Sequence, residues 1–448
     1  MVKQVVMSKN KKQQAYKYRL YPTDEQIPVL YQCFAYRRRA WNHIHAAVMD
    51  YKVPEGEKLK TNKVASEAMK VFRTFKHEEE NAWMKSLDYD IPEYAQLRYG
   101  SAWSAFYRQA KNGTLQQKRN RDITKRKAAV MPINPKHLDN MCKPKFASAK
   151  DPEQSFQVKA KRDGEYKINL QIDSCDKWGF FEIKGIPGFL KFRKHRGMFF
   201  DDISTVTVSV DTIGQFYVSF GTSQDIELPK IPPKPKKGEE KRVLGIDSNV
   251  KGFYCSDNKE FEHPHPAIKF EKRKAFLQKR LKKKEKGSKR YEKWRKRLAK
   301  LEKRIARIRE DHLHRLSLFL ATRKDVDVIL VEKLHLEKMA AKPFPVMRED
   351  GHFLPNGAKD KSRLNKLMRD AAHAKFVEML DYKCEWYGKR LKVVDSLEKT
   401  NRTCAECGHD NEHVHFRMKT WTCAECGTTH GKYENGSKLL RNKFLGLD

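Results

Sequence analysis

The sequence predicts a multidomain α+β protein, and three observations carry that reading. Helical patterning over residues 26–125 gives way to β patterning over 126–230. A linker at 229–240, with four Pro and four Lys, closes that first part. Behind it, short apolar strands ending on carboxylates alternate with helical stretches, and two CxxC pairs follow near the C-terminus.

Each element has its own signal. Tyr16 to Tyr21 alternates as a strand should and stops at Pro22, after which Thr23 is placed to cap a helix. The helical part is rich in aromatics, with Tyr36-Arg37-Arg38-Arg39-Ala40-Trp41 and the run Tyr99 to Tyr107. Strands are expected at 168–172, 180–183, 206–210 and 215–220, the last two joined by the hairpin signal Asp211-Thr212-Ile213-Gly214. Beyond the linker, residues 242–247 read as a buried strand ending on Asp247. Residues 268–322 read as a long basic helical stretch, and 326–331 as a second apolar strand followed by Glu332. A loop rich in Pro, Gly and charge at 340–362, an amphipathic helix at 364–388 and a strand at 390–394 complete the pattern.

Charge narrows the function. The 94 Lys and Arg outnumber the 57 Asp and Glu, for a net charge of +37 over 448 residues. Such a surface repels itself unless a polyanion neutralises it, and nucleic acid does so by displacing counterions. Residues 272–307 hold nineteen Lys and Arg against three acids. With so few i,i+4 acids to pair with, this stretch is expected to lie along a phosphate backbone, with Lys282, Lys283, Lys284, Arg295, Arg297 and Arg304 as candidate contacts. No run of about 18 apolar residues could span a bilayer. Met1 to Lys12 lacks the apolar segment of a secretory signal. The expected setting is the reducing cytoplasm, with Cys33, Cys142, Cys175, Cys255 and Cys384 as single reduced thiols.

The other four cysteines are clustered. Cys404-x2-Cys407, fifteen residues, then Cys423-x2-Cys426 is a zinc-ribbon spacing, with Gly408 and Gly427 after each pair for the tight turn. Four thiolates close a tetrahedron, so the Zn2+ is expected to be structural. His409, His413, His415 and His430 are then expected to be surface residues.

Gly245-Ile246-Asp247 and Val331-Glu332-Lys333-Leu334 are shaped like the two strand-end carboxylate donors of RNase H-like nucleases, which hold two divalent metals about 4 Å apart. Either is weak alone. Their order, with a basic helix between and a ribbon after, is specific.

On these residues the chain resembles the transposon-encoded TnpB family, relatives of the small type V CRISPR effectors and of the Fanzor proteins. Tyr18-Arg19-Leu20-Tyr21-Pro22-Thr23 with Gln26 is similar to the family's opening strand, and Gly245-Ile246-Asp247 and Val331-Glu332-Lys333-Leu334 to its first two RuvC motifs. Leu380-Asp381-Tyr382-Lys383 and Trp386-Tyr387-Gly388 resemble the helix before the ribbon, and Thr403 to Gly408 with Cys423 to Gly427 the ribbon itself. The resemblance implies a wedge-like β-barrel from 1–25 and 126–235, a helical recognition lobe at 26–125, and a RuvC-like domain at 241–448 with the ribbon at 400–430 and a lid-like loop at 340–362. It also implies a guide RNA, a double-stranded DNA target beside a short motif, a prokaryotic nucleoid setting, and Arg37, Arg38, Arg39 and Trp41 as candidate contacts.

The third RuvC motif departs from the family. There the ribbon is followed by a helix reading roughly Asp-Arg-Asp-x-Asn-Ala-Ala, whose second Asp is a metal ligand. Here Gly431-Lys432-Tyr433-Glu434-Asn435-Gly436-Ser437 stands in its place, so that Tyr433 holds the ligand position. A phenol is a poor Mg2+ ligand at neutral pH. Glu434 is turned by about 100° along the helix. Asp247 and Glu332 alone would hold Mg2+ weakly. Three readings follow: a guided DNA-binding protein that has lost cleavage and represses transcription; an active guided endonuclease using Glu434; and a ribbon regulator without a guide.

Overall fold

The computed structural model describes residues 11–446 apart from 54–59, 129–130, 163, 173–176, 198–202, 226–228, 230, 232–241, 335–338, 340–346, 349–356, 395–401 and 416–417. Most of the linker at 229–240, most of the loop at 340–362, and Cys175 therefore lie outside the described residues. Two compact units emerge, one of Gln13–Asp225 and one within Ile226–Asp448.

In the first unit, strand β1 (Lys11–Tyr21) leads into helix α1 (Gln26–Asp50). Thr23 and Gln26 form a reciprocal capping box: the Gln26 N–H donates to Thr23 Oγ1 at 3.3 Å, and the Thr23 N–H to Gln26 Oε1 at 3.0 Å. Helices α2 (Thr61–Thr74), α3 (Asp90–Lys111), α4 (Thr114–Ala128) and α5 (Pro135–Asp139) follow. Strands β2 (Gln154–Lys159), β3 (Lys161–Arg162), β4 (Glu165–Tyr166), β5 (Leu170–Ile172), β6 (Trp178–Phe181), β7 (Leu190–Arg193), β8 (Ile203–Val210) and β9 (Phe216–Asp225) come next. Seven of the strands pair in the order β2-β8-β9-β1-β7-β6-β5. The expected barrel is corrected here: among the described residues no ladder joins β2 to β5, so the sheet stays open. Helices pack on the sheet and share its core instead. Leu30, Cys33, Phe34, Ala40, Ile44 and Val48 make the apolar stripe of α1, and this stripe shares one core with Val206, Val208, Phe192 and Phe220 of the sheet.

The second unit is built on a five-stranded mixed sheet, in the order β12-β11-β10-β13-β14. Its strands are β10 (Val243–Ser248), β11 (Gly252–Cys255), β12 (Glu260–Glu262), β13 (Val328–Glu332) and β14 (Arg390–Val394). β10, β13 and β14 run parallel, and β11 and β12 return antiparallel at one edge. Between β12 and β13 lie α6 (Pro266–Lys269), α7 (Glu271–Lys282) and α8 (Lys289–Thr322). The basic stretch is therefore a hairpin and not one helix. It breaks at Gly287, with φ +89°, and restarts where Ser288 Oγ accepts the Tyr291 N–H at 3.1 Å. Helices α9 (Ala358–Ala371) and α10 (His373–Trp386) replace the single helix expected at 364–388, because Ala372 takes a left-handed φ of 52°. Leu244 and Ile246 pack with Leu313, Leu316, Phe376 and Leu380 on one face of the sheet.

Four histidines meet beside this core. His263 touches the rings of His265, His312 and His373 at centroid distances of 5.5–6.0 Å, with Phe253 at 4.8 Å. Asp370, next to them, is held by Arg309 at 2.6 Å and by the Ala267 N–H at 2.8 Å.

Candidate active site and metal centre

The last helix, α11 (Lys432–Leu445), organises both candidate sites. It lies on the face of β10 that carries Val243, Gly245 and Asp247, since Val243 packs with Phe444 and Leu445. At Gly245 the approach is so close that a Cβ would stand 2.1 Å from the Ser437 carbonyl oxygen. Only glycine admits the helix there. Asn435 fixes its start: the Ala405 N–H donates to Asn435 Oδ1 at 2.9 Å, and Asn435 Nδ2 donates to the Thr403 carbonyl at 2.7 Å. Asn442 Nδ2 donates to the Ala405 carbonyl at 2.6 Å. The helix is thus firmly seated despite Gly431, Gly436 and Ser437.

The register of β10 with β13 pairs Ile246 with Val331, so the next residues, Asp247 and Glu332, come level on one face. Tyr254 of β11 stands opposite Asp247 on the other side. Over this row α11 places Tyr433, whose ring packs on Tyr254 with centroids 4.9 Å apart and planes at 34°. Gly436 faces the carboxylate directly: a Cβ there would sit 3.2 Å from Asp247 Oδ2. Burial pushes the Asp247 carboxyl up to about 7, the like charge of Glu332 adds to the rise, and the Ser248 N–H and Lys432 oppose it. Burial, with the Asp247 charge, also raises the Tyr433 phenol. Burial lowers the Lys432 ammonium, against the pull of Asp247. Glu434 turns elsewhere. Its Oε2 lies 3.0 Å from where a Gly431 Cβ would be, and its charge acts on His430.

The ribbon is complete. Its four cysteine sulfurs lie within 4.8 Å of one another, with Cys404 and Cys426, and Cys407 and Cys423, each 3.6 Å apart. This donor set fits a structural zinc ion. The two knuckles repeat one turn: the Gly408 N–H donates to the Cys404 carbonyl and the Gly427 N–H to the Cys423 carbonyl, both at 3.0 Å, with φ of +74° and +70°. Strands β15 (Thr420–Thr422) and β16 (Thr429–Gly431) bracket the second knuckle. His409, His413 and His415 are exposed as expected. His430 is a correction. It is buried, with Nε2 3.0 Å from Cys404 Sγ and its ring 4.7 Å from Trp421, because the register of β16 with β15 sets it opposite Trp421. Asn411 Nδ2, 3.5 Å from Cys423 Sγ, is a second neighbour that the spacing alone did not reveal. Such donors orient and stabilise thiolates.

The three consecutive arginines diverge. Arg38 donates to Gln154 Oε1 at 3.0 Å, and Arg39 donates to Asn81 and lies over Trp83. Trp41 is held internally, donating to the Lys145 carbonyl at 2.8 Å and packing on Tyr99. Arg37 is different: it falls on the core-facing stripe between Cys33 and Ala40, half-buried, beside a cleft of about 350 Å³ lined also by Arg98, Tyr94, Ser155, Gln157 and Thr207. The charges acting on it, Arg98 and Arg38, have its own sign, and with burial they lower its pKa. On the hairpin, Lys282, Lys283, Arg297 and Arg304 are exposed and Lys284 half-buried, while Arg295 pairs with Glu292 at 2.8 Å. Among the described residues no helix is long and apolar enough to cross a membrane.

Three family models match the chain. Residues 223–342 match the IS605 OrfB model, described as "Probable transposase", and 373–440 match the Cas12f1-like TNB domain. Residues 7–48 match a helix-turn-helix domain of IS605 OrfB, although the described part of this segment is β1 and α1. A Streptomyces pristinaespiralis protein named "Putative RNA-guided DNA endonuclease" is 25% identical over 95% of this chain and 88% of its own length. Escherichia coli (strain K12) InsQ, which bears the same description, is 27% identical over 56% of this chain and 59% of its own. A Cas12f1–sgRNA–target DNA complex aligns over 96% of this chain and 99% of its own, with 13% identity and a TM-score of 0.48. In these three segments the chain is similar to the IS605 OrfB and Cas12f1-like family models, and over most of its length to a protein named as an RNA-guided DNA endonuclease.

Proposed function

We propose that this homologue of RNA-guided DNA endonucleases binds guide-matched DNA beside a short motif without cutting it, and represses transcription by occupying the site. The observation that carries the reading is the row Tyr254–Asp247–Glu332 with Tyr433 above it. The third carboxylate position is filled by a phenol whose ring is engaged by stacking. Glu434, the acid next to Tyr433 in sequence, is directed at Gly431 and His430. Asp247 and Glu332 would hold a divalent ion such as Mg2+, which bound there would supply charge to phosphate oxygens. Lys432 brings a competing positive charge to the same carboxylate. Loss of one ligand from a two-metal site costs several kcal/mol of transition-state stabilisation, roughly 10³-fold in rate. Binding does not depend on that ligand, because guide pairing and backbone contacts supply it. The +37 charge, the exposed lysines of the hairpin and the Arg37–Arg98 cleft support a nucleic-acid partner. The test pairs two measurements on the purified complex with its copurifying RNA. Gel-shift of guide-matched DNA is expected to show specific binding, and the same DNA is expected to stay intact in Mg2+ or Mn2+.

A further inference from the structure

The α7–α8 hairpin carries more than charge. Of α7 only Leu277 is buried, against Leu301 and Ile305 of α8, with Trp294 and Leu298 packed at the edge. Its neighbour Phe276 points outward and is 50% exposed. Phe276 meets Trp294 edge-on, with centroids 6.3 Å apart and planes at 71°. Arg280 lies over the Phe276 ring at 5.3 Å, and Arg297 over the Trp294 ring at 4.8 Å. Nearby acids are engaged by other cations: Glu292 by Arg295 at 2.8 Å, Glu302 by Lys274 at 3.0 Å and Glu271 by Lys366 at 2.8 Å.

We infer that Phe276 and Trp294, flanked by Arg280 and Arg297, form a stacking site for an unpaired nucleobase of a bound nucleic-acid strand. The inference rests on the nucleic-acid reading above and makes it specific. A helix face that only needs to be solvated gains nothing from an exposed phenyl ring in the middle of a lysine- and arginine-rich surface. A base accepts that ring on its π-face, whatever the sequence. The two guanidinium groups add planar surfaces for stacking and pair with the phosphates on either side. A duplex keeps its base faces covered, so the ligand class is a single strand or an unpaired loop, RNA or DNA.

The experiment uses the full chain and three fluorescent probes: an unpaired RNA of about 12 nucleotides, the same sequence as single-stranded DNA, and the corresponding duplex. Phe276→Ala is expected to weaken binding of at least one single strand roughly 5- to 100-fold, with duplex binding and the salt slope unchanged. Phe276→Trp should restore the loss. The strand that loses affinity identifies the source as RNA or DNA. Neutralising Lys282, Lys283 and Lys284 together should instead flatten the salt slope for all three probes. Unchanged single-strand affinity in Phe276→Ala, or an equal loss for the duplex, would overturn the stacking site and leave the wider reading standing. Failure of the unmutated chain to bind any probe would overturn both. Zinc content and circular dichroism, measured on each variant, separate a lost contact from a lost fold.

Discussion

The ribbon and the carboxylate row lean on the same turn of α11. Asn435 clamps the first cysteine knuckle, while Tyr433 and Gly436, two residues before it and one after, face Asp247. At the ribbon every donor is present, and even the surrounding groups, His430 and Asn411, are set against the sulfurs. At the carboxylates two acids stand level, with Tyr433 packed on Tyr254 beside them. Asn435 and Asn442 tie α11 to the ribbon, and Val243 and Gly245 seat it on the sheet, so on the proposed reading the scaffold does not depend on a third carboxylate.

The largest expected effect breaks the ribbon side of this comparison. Ligation by four thiolates couples metal binding to folding, with apparent free energies of about 10 kcal/mol or more in small zinc domains. Cys404→Ser with Cys426→Ser should take zinc from one ion per chain to near zero and release α11, read as lost protection of residues 403–445 in hydrogen exchange. Zinc that stays stoichiometric in the double variant would refute the assignment.

A smaller but still large effect should follow from the helix–sheet contact. Gly245→Ala puts a methyl group 2.1 Å from a backbone oxygen that cannot rotate away. It should cost about 2–4 kcal/mol and lower Tm by several degrees, by analogy with other overpacked cores. A melting temperature equal to that of the unmutated chain would mean that α11 does not press on β10.

Much of this architecture was legible in the residues. The strands ending on Asp247 and Glu332, the hairpin at 211–214 and the two knuckles have short-range signals: apolar runs, turn residues and fixed spacing. The open sheet was not, because closure depends on which edge strands meet, and no local pattern encodes that. The hairpin within 268–322 was announced only by Gly287-Ser288, easily submerged in a helical, lysine-rich run. The kink at Ala372 had no signal, since alanine is a helix former and takes its left-handed φ from tertiary packing. Tyr433 was readable against the family motif, and its standing in a ligand position belongs to the proposed reading. Its stacking on Tyr254 required β11, a four-residue strand that the pattern did not mark.

Acidity and alkalinity should act on opposite regions. Burial, then the mutual repulsion of His373, His265 and His312, pushes His263 down to about 3, and burial alone takes His373 down to about 4. These rings fold neutral and would bind protons when unfolded, near pH 6.5. Their contribution to stability is therefore full above about pH 6.5 and is lost as pH falls towards 3–4, by on the order of several kcal/mol. Asp370, Arg309, Arg315 and Asp311 surround the cluster, and the two acids are each engaged by an arginine, Asp370 by Arg309 and Asp311 by Arg315, which limits how far they offset the added charge. Replacing His263 and His373 together with Phe should flatten the pH dependence of Tm between 6.5 and 4.5. A curve parallel to the unmutated chain would place its acid sensitivity elsewhere.

The carboxylate row has the reverse sign. Asp247 has its carboxyl raised to about 7, so in metal-free protein it destabilises the fold increasingly as pH rises from about 4 to 7. Asp247→Asn should then stabilise the fold above pH 7 by on the order of 1–2 kcal/mol after allowance for partial solvent access, read as a higher Tm, and change little near pH 4. A variant that melts lower at pH 8 would show that the carboxylate is satisfied by the fold after all.

The central claim is that this chain binds guided DNA and leaves it whole, and it is tested most directly by incubating the RNA-loaded protein with guide-matched plasmid in Mg2+ or Mn2+. The predicted result is specific binding with no nicked or linear product above a guide-free control, and the same repression of a guide-matched promoter by Asp247→Ala as by the unmutated chain. Guide-specific cleavage that disappears in Asp247→Ala would contradict it, and loss of that cleavage in Glu434→Ala as well would identify the residue that replaced the missing carboxylate.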